Sequence, residues 1–148
     1  MDIRKAQPED ASVITEFQLA MALETENLKL NKETVSSGVE AVFADPSKGN
    51  YYITEIEGHV VASLLTTFEW SDWRNGTVLW IQSVYVLPEF RKLGIYSNMY
   101  QHIQELVMTD ENLKGIRLYA EKTNDTAHLV YEKSGMSAEH YQLYEWLK

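Results

Sequence analysis

Two cations and a glycine stand between an apolar run and an amphipathic one at Arg91-Lys92-Leu93-Gly94-Ile95-Tyr96. Upstream, Thr77 to Val86 reads as a strand that Leu87-Pro88 breaks. Downstream, Ile95, Met99, Ile103, Leu106 and Val107 recur at helical spacing. A strand, a glycine loop and a helix N-terminus leave backbone N–H groups unpaired at the positive end of a helix dipole. Such a turn can seat a phosphate. One glycine after a strand also fits an ordinary turn, so spacing alone leaves both readings open. Tyr131, on a short helical stretch with Ala127 and Val130, reads on its own as a core aromatic.

Composition removes several classes of function. The 148 residues, 45% apolar and 24% charged, describe one soluble globular domain, 1–148, with a sizeable core. There is no cysteine, which excludes disulfides, thiolate nucleophiles and thiolate metal sites. His59, His102, His128 and His140 show no metal-ligand spacing, and no metal is expected. The net charge of −9 argues against nucleic acid, which calls for a basic footprint. No run approaches the roughly 20 apolar residues of a membrane span. The first residues lack a signal peptide's apolar core, so the expected location is the cytoplasm.

The elements that must position the loop follow in order. Ile3 to Ala6 is a short strand, and Pro8-Glu9-Asp10 starts a helix carried by Val13, Ile14, Phe17, Ala20 and Met21. That helix runs out near Glu24-Thr25-Glu26-Asn27. A second begins at about Lys32, buries Val35, Val39, Val42 and Phe43, and stops at Asp45-Pro46. Tyr51 to Ile56 and Val60 to Phe68 read as a hairpin turning at Glu57-Gly58. Glu69 to Gly76 connects to the central strand, and the long helix after the glycine loop reaches about Met108. Lys114-Gly115 separates it from a fifth strand, Ile116 to Ala120. Asn124 caps a short helix that Ser134-Gly135 closes, and Tyr141 to Leu147 alternates like a final strand.

Two motifs and this order resemble the GNAT superfamily of N-acetyltransferases. Val86-Leu87-Pro88-Glu89-Phe90-Arg91 followed by Arg91 to Tyr96 is similar to that family's phosphate loop, Arg/Gln-x-x-Gly-x-Gly/Ala, after a strand ending Val-x-Pro-x-x-Arg. Tyr96 stands where a small residue is usual. Asn124 to Met136 resembles the family's Asn-x-x-Ala-x-x-x-Tyr-x-x-x-Gly-Phe, with Met136 at the last position. The resemblance covers essentially the whole chain. It implies an α/β fold with a mixed, mostly antiparallel central sheet flanked by helices.

It also implies acetyl-CoA as the donor and direct attack by an amine, with no covalent acyl-enzyme. Arg91, Lys92, Leu93, Gly94, Tyr96 and Ser97 would hold the pyrophosphate, and Asn124 would touch the cofactor. The backbone of Val84-Tyr85-Val86 would pair with the pantetheine arm. Tyr131 would be the general acid toward the departing sulfur. A phenol with pKa about 10 can stabilise a thiolate whose own pKa is roughly 8.5. An attacking alkylamine must first lose a proton. Gln82, at the central-strand position matching a glutamate used by some enzymes of this type, cannot accept one.

Glu24, Glu26 and Glu69 are the remaining candidates for that task, and each also reads as a solvated carboxylate. Trp70 and Trp73, in a connection where Asn75-Gly76 alone would make the turn, could flank a flat or cationic acceptor or simply pack as lids. With Gln82, Glu24 and Glu26 they form the expected acceptor side. The acceptor is expected to be a small-molecule amine. A protein amine and a non-catalytic acyl-CoA-binding module are the alternatives. Family members often pair through late strands, which here would make a homodimer through Tyr141 to Leu147.

Overall fold

A computed structural model describes every residue from Met1 to Lys148. The chain forms two compact units, Met1–Arg117 and Leu118–Lys148. In the first, β1 (Asp2–Lys5) leads through a 3-10 turn at Pro8–Asp10 into α1 (Ala11–Glu26) and α2 (Lys32–Ala44). β2 (Asn50–Ile56), β3 (His59–Ser71) and β4 (Gly76–Val86) follow, then α3 (Ile95–Thr109) and β5 (Leu113–Arg117). The five strands lie in the order β1-β2-β3-β4-β5, antiparallel except for the parallel pair β4–β5. This is the mixed, mostly antiparallel sheet expected from the sequence.

Local chemistry sets the helix ends. Asn31 caps α2, its side-chain oxygen accepting from the Thr34 N–H at 2.9 Å. Asp45, in extended conformation before Pro46, ends it. Asn27, in the left-handed region at φ 50°, ends α1. The helices then cover both faces of the sheet. Tyr51 stacks on Phe43 of α2 at 5.8 Å, and Ile53 clusters with Ile14 of α1 and Val39 of α2. On the opposite face Tyr52 meets His102 of α3 edge-on at 5.6 Å. Ile14, Ile53, Leu64, Met99 and Ile103 are fully buried. Each contributes about 1.5–3 kcal/mol by leaving water.

One residue breaks the regularity of β4. Leu65 of β3 faces Gln82, but Ser63 faces Tyr85, so three steps on β4 match two on β3. This is a β-bulge, and its Ser83 lies at φ 52°. Opposed residues share a face, so Gln82 lies with Leu65 and Tyr51 on the α1–α2 side. Were these same residues paired one-to-one with β3, Tyr85 would fall opposite Ala62 and point toward α3. The bulge turns it onto the α1 side, where its ring sits 5.3 Å from Phe17.

The second unit contains α4 (Asp125–Lys133). Asn124 caps it by accepting from the Ala127 N–H at 3.1 Å. Gly135, at φ 83°, closes it: the Met136 N–H reaches the Tyr131 carbonyl at 3.1 Å, and the Gly135 N–H reaches that of Glu132 at 3.0 Å.

Two sequence expectations fail. The fifth strand begins at Leu113, not Ile116, and ends at Arg117, not Ala120. Lys114-Gly115, read as the break that separates helix from strand, lies within it, with Gly115 opposite Val78. Tyr141 to Leu147 forms no strand, because alternation orients side chains but supplies no partner ladder.

Candidate functional site

The glycine loop continues directly from β4. After Val86 the chain makes a 3-10 turn at Pro88–Phe90 and then passes through two left-handed residues, Lys92 at φ 66° and Gly94 at φ 75°. A Cβ at Gly94 would meet nothing within 4 Å, so conformation rather than space calls for glycine there. Gly94 precedes α3, and no side chain caps that helix. The first helical bond runs from the Asn98 N–H to the Gly94 carbonyl at 3.0 Å. The N–H groups of Ile95, Tyr96 and Ser97 come before it, at the positive end of the dipole. Lys92, Leu93 and Ser97 are exposed. The Tyr96 ring lies back along the helix, 6.4 Å from Tyr100, with its hydroxyl buried.

β4 itself is open over the half nearest the loop. Its pairing with β5 stops at Trp80 and Arg117. From Ile81 to Val86, the segment holding Val84 and Tyr85, no strand pairs on that side. The Leu87 N–H bonds to the Val61 carbonyl on β3 at 2.9 Å, so the Val86 carbonyl, one residue earlier, faces the open side. Arg91 Nε donates to it at 2.9 Å.

Two of the three carboxylates expected on the acceptor side already have partners. Both Glu24 oxygens accept from the Arg91 guanidinium, one at 2.8 Å. Those bonds hold the Glu24 carboxyl below its usual range, against a smaller desolvation effect. Glu69 pairs with Arg117 of β5. Gln82 donates from Nε2 to Thr67 Oγ1 at 2.6 Å. Glu26 is exposed at the end of α1.

The tryptophans lie elsewhere. Trp70 pairs with Thr77, and the turn that carries Trp73 follows. Thr77 is six residues from Ser83, about 20 Å along a strand. Trp70 also alternates onto the face opposite Thr67, Glu69 and Gln82. It is 65% exposed and Trp73 is 89% exposed. The fold therefore brings Glu69, Thr67, Gln82 and Arg117 to one face and leaves both tryptophans off it. Thr67, Ser83 and Arg117 went unnoticed in the sequence, where nothing separates them from ordinary strand residues.

In the second unit, Asn124 spends its side-chain oxygen on the α4 cap, and Tyr131 is half-buried in the last turn of that helix. No group of histidine, aspartate and glutamate side chains is arranged to hold a metal, and no helix is long and apolar enough to cross a membrane.

The model of the acetyltransferase (GNAT) family matches residues 17–136. No curated protein matches the sequence. Among solved structures, a possible acetyltransferase from Clostridium difficile 630 is 41% identical over 99% of this chain and 97% of its own, with a TM-score of 0.92. A predicted acetyltransferase from Clostridium acetobutylicum, solved with acetyl-CoA, is 22% identical over 99% and 94%, with a TM-score of 0.73. A ribosomal-protein-alanine N-acetyltransferase from Brucella melitensis biovar Abortus 2308 is 13% identical over 99% of each, with a TM-score of 0.80. At those two identities the likeness is one of fold. The family match, spanning both the glycine loop and the Asn124–Met136 motif, assigns the chain: it belongs to the GNAT family of acetyltransferases.

Proposed function

We propose that this chain transfers the acetyl group of acetyl-CoA to the amine of a small molecule. The observation that carries the reading is the juxtaposition of an unpaired side of β4 with an uncapped helix N-terminus at its end. The residues present fit a coenzyme A. Left-handed Lys92 and Gly94 turn the backbone into α3, and a pyrophosphate there meets the N–H groups of Ile95, Tyr96 and Ser97 with the Lys92 ammonium nearby in sequence. Tyr96 is compatible with this, since its ring lies beside Tyr100. Val84 to Val86 offer backbone groups to an extended, amide-bearing arm. When bound, acetyl-CoA supplies an acetyl group activated as a thioester.

The chain's own residues supply the rest. An N–H on the open side of β4 favours negative charge developing on the acyl oxygen. Tyr131 acts as the donor toward the leaving sulfur, and Asn124 orders the helix that carries it. The acceptor side contributes no strong base. Gln82 has none to offer, Glu69 is ion-paired, and Glu24 is held in its charged, weakly basic form by Arg91. The amine therefore reaches the site already deprotonated or loses its proton to water. The net charge of −9 favours encounter with a cationic small molecule.

Thermal unfolding with and without acetyl-CoA is the first test. At about 100 times the dissociation constant, binding adds about 2.7 kcal/mol, a rise of roughly 5–10 °C for a chain of this size. No shift at saturation would sink the proposal. Where the shift is present, Tyr131→Phe should keep it while turnover with the best amine of a panel falls about a hundredfold. Undiminished turnover in that variant would remove Tyr131 from its role.

A further inference from the structure

Arg91 opens the glycine loop, yet all three of its guanidinium nitrogens are engaged within the protein. Nε donates to the Val86 carbonyl at 2.9 Å, and the two terminal nitrogens grip the Glu24 carboxylate, one at 2.8 Å. The guanidinium carbon also lies 5.5 Å from the centre of the Tyr85 ring. This is the bidentate fork that arginine makes with a carboxylate and that lysine cannot. It joins residues 67 apart in sequence, the last turn of α1 and the exit of β4.

Few other contacts hold that last turn. Leu23 is 56% exposed, and Glu24, Thr25 and Glu26 are exposed as well. Seven residues earlier, about two turns back on the same side of α1, Phe17 packs against Tyr85. Phe17 and Glu24 thus fasten α1 to the bulged end of β4 at two points. One fastening is apolar and buried, the other ionic and half exposed.

We infer that Arg91 and Glu24 are positioning residues: their pair is a clamp that sets how far the end of α1 stands from the open end of β4, and so how the acceptor amine is received. Pyrophosphate then rests on the backbone of the loop and not on the Arg91 guanidinium. The inference deepens the acetyltransferase reading and rests on it for the acceptor, but the clamp itself is measurable without any donor.

Glu24→Gln, Arg91→Gln and the double variant test this by three readouts. Hydrogen exchange at residues 22–28 of the donor-free protein should accelerate about fivefold in each single variant, the equivalent of an ion pair worth about 1 kcal/mol. The double variant should be no faster, since the two side chains act as one unit. Calorimetric titration with coenzyme A should give dissociation constants within about twofold of wild type, while the amine KM rises by more than the acetyl-CoA KM.

Weaker coenzyme A binding in Arg91→Gln alone would make Arg91 a phosphate ligand and overturn the clamp. Tighter binding in Glu24→Gln would make Glu24 a competitor for that ligand and would overturn the clamp too. So would unchanged exchange at residues 22–28. If wild type binds no coenzyme A, the acetyltransferase proposal fails separately, and the exchange measurement still decides the clamp.

Discussion

Tyr85→Ala should be among the most damaging single changes to β4, because the bulge at Ser83 turns this ring into the packing beneath α1. One extra residue between Gln82 and Tyr85 places the ring opposite Ser63, on the α1 side of the sheet. Tyr85 is 7% exposed and touches both Phe17 and Arg91. An aromatic side chain of this kind buries roughly 150–250 Å², so losing its site costs about 4 kcal/mol. That is a large share of the roughly 5–15 kcal/mol typical of a folded domain.

Urea unfolding followed by tryptophan emission is the assay. Trp70, Trp73 and Trp146 are 65%, 89% and 89% exposed and emit as if in solvent whether or not the chain is folded. Trp80, within β4, is half-buried and reports the change. With a slope of about 2 kcal/mol per molar urea, the midpoint should fall by roughly 2 M or the transition disappear. Ser83→Gly is the control. It keeps the bulge and the Tyr85 ring and accepts φ 52°, so its stability should stay within about 1 kcal/mol of wild type. Equal midpoints for Tyr85→Ala and the glycine variant would refute the role given to the Tyr85 site.

Asp10→Asn should lose about 2–3 kcal/mol at neutral pH, because a carboxylate bound by both Arg4 terminal nitrogens (2.8 and 3.1 Å) and by the Gln7 N–H (2.8 Å) becomes a neutral amide. The Arg4 bonds lower the folded-state Asp10 pKa, so its contribution is complete above the unfolded value of about 4 and is lost as pH falls through the lower folded one. Wild-type and variant stabilities should therefore converge in acid, and parallel curves in pH-dependent denaturation would count against the pair. Trp73→Ala should shift stability by less than about 0.5 kcal/mol and leave the amine KM unchanged, given its exposure and distance from the bulge. A several-fold rise in that KM would restore the tryptophan to the acceptor side. With no strong base contributed by the protein, the alkaline rise of turnover should move with the pKa of the amine chosen. A limb fixed at one pH for all amines would reveal a base on the protein.

Much of the frame was legible because its signals are local. Asn124 caps its helix, Gly135 closes α4, and Gly94 takes the left-handed turn before α3, each through chemistry confined to a few neighbours. The bulge was not legible. Ile81 and Tyr85 are both buried and four residues apart, the spacing of two residues on one strand face. They lie on opposite faces, and since helices cover both, no exposed position marks the slip. The commitments of Glu24, Glu69 and Gln82 were equally hidden. Arg91, Arg117 and Thr67 are distant in sequence, and only the register of the sheet and the course of α1 bring them together. Gly115 misled for a related reason: glycine reads as a break, but a parallel strand can carry it wherever its ladder continues.

The open side of β4 has a consequence for the ligand-free chain. Strand groups without a partner invite other strands, and Val84-Tyr85-Val86 is an uncharged, β-favouring triplet of the sort that seeds aggregation. Two neighbours act as gatekeepers. Arg91 occupies the last carbonyl of the strand, and Pro88 prevents the ladder from extending past its end. A bound extended ligand would complete this protection by occupying the open hydrogen-bonding positions that precede them, from Ile81 onward. Occupancy would then serve the solubility of the protein as well as its chemistry, and depletion of the ligand would expose the chain to its own kind.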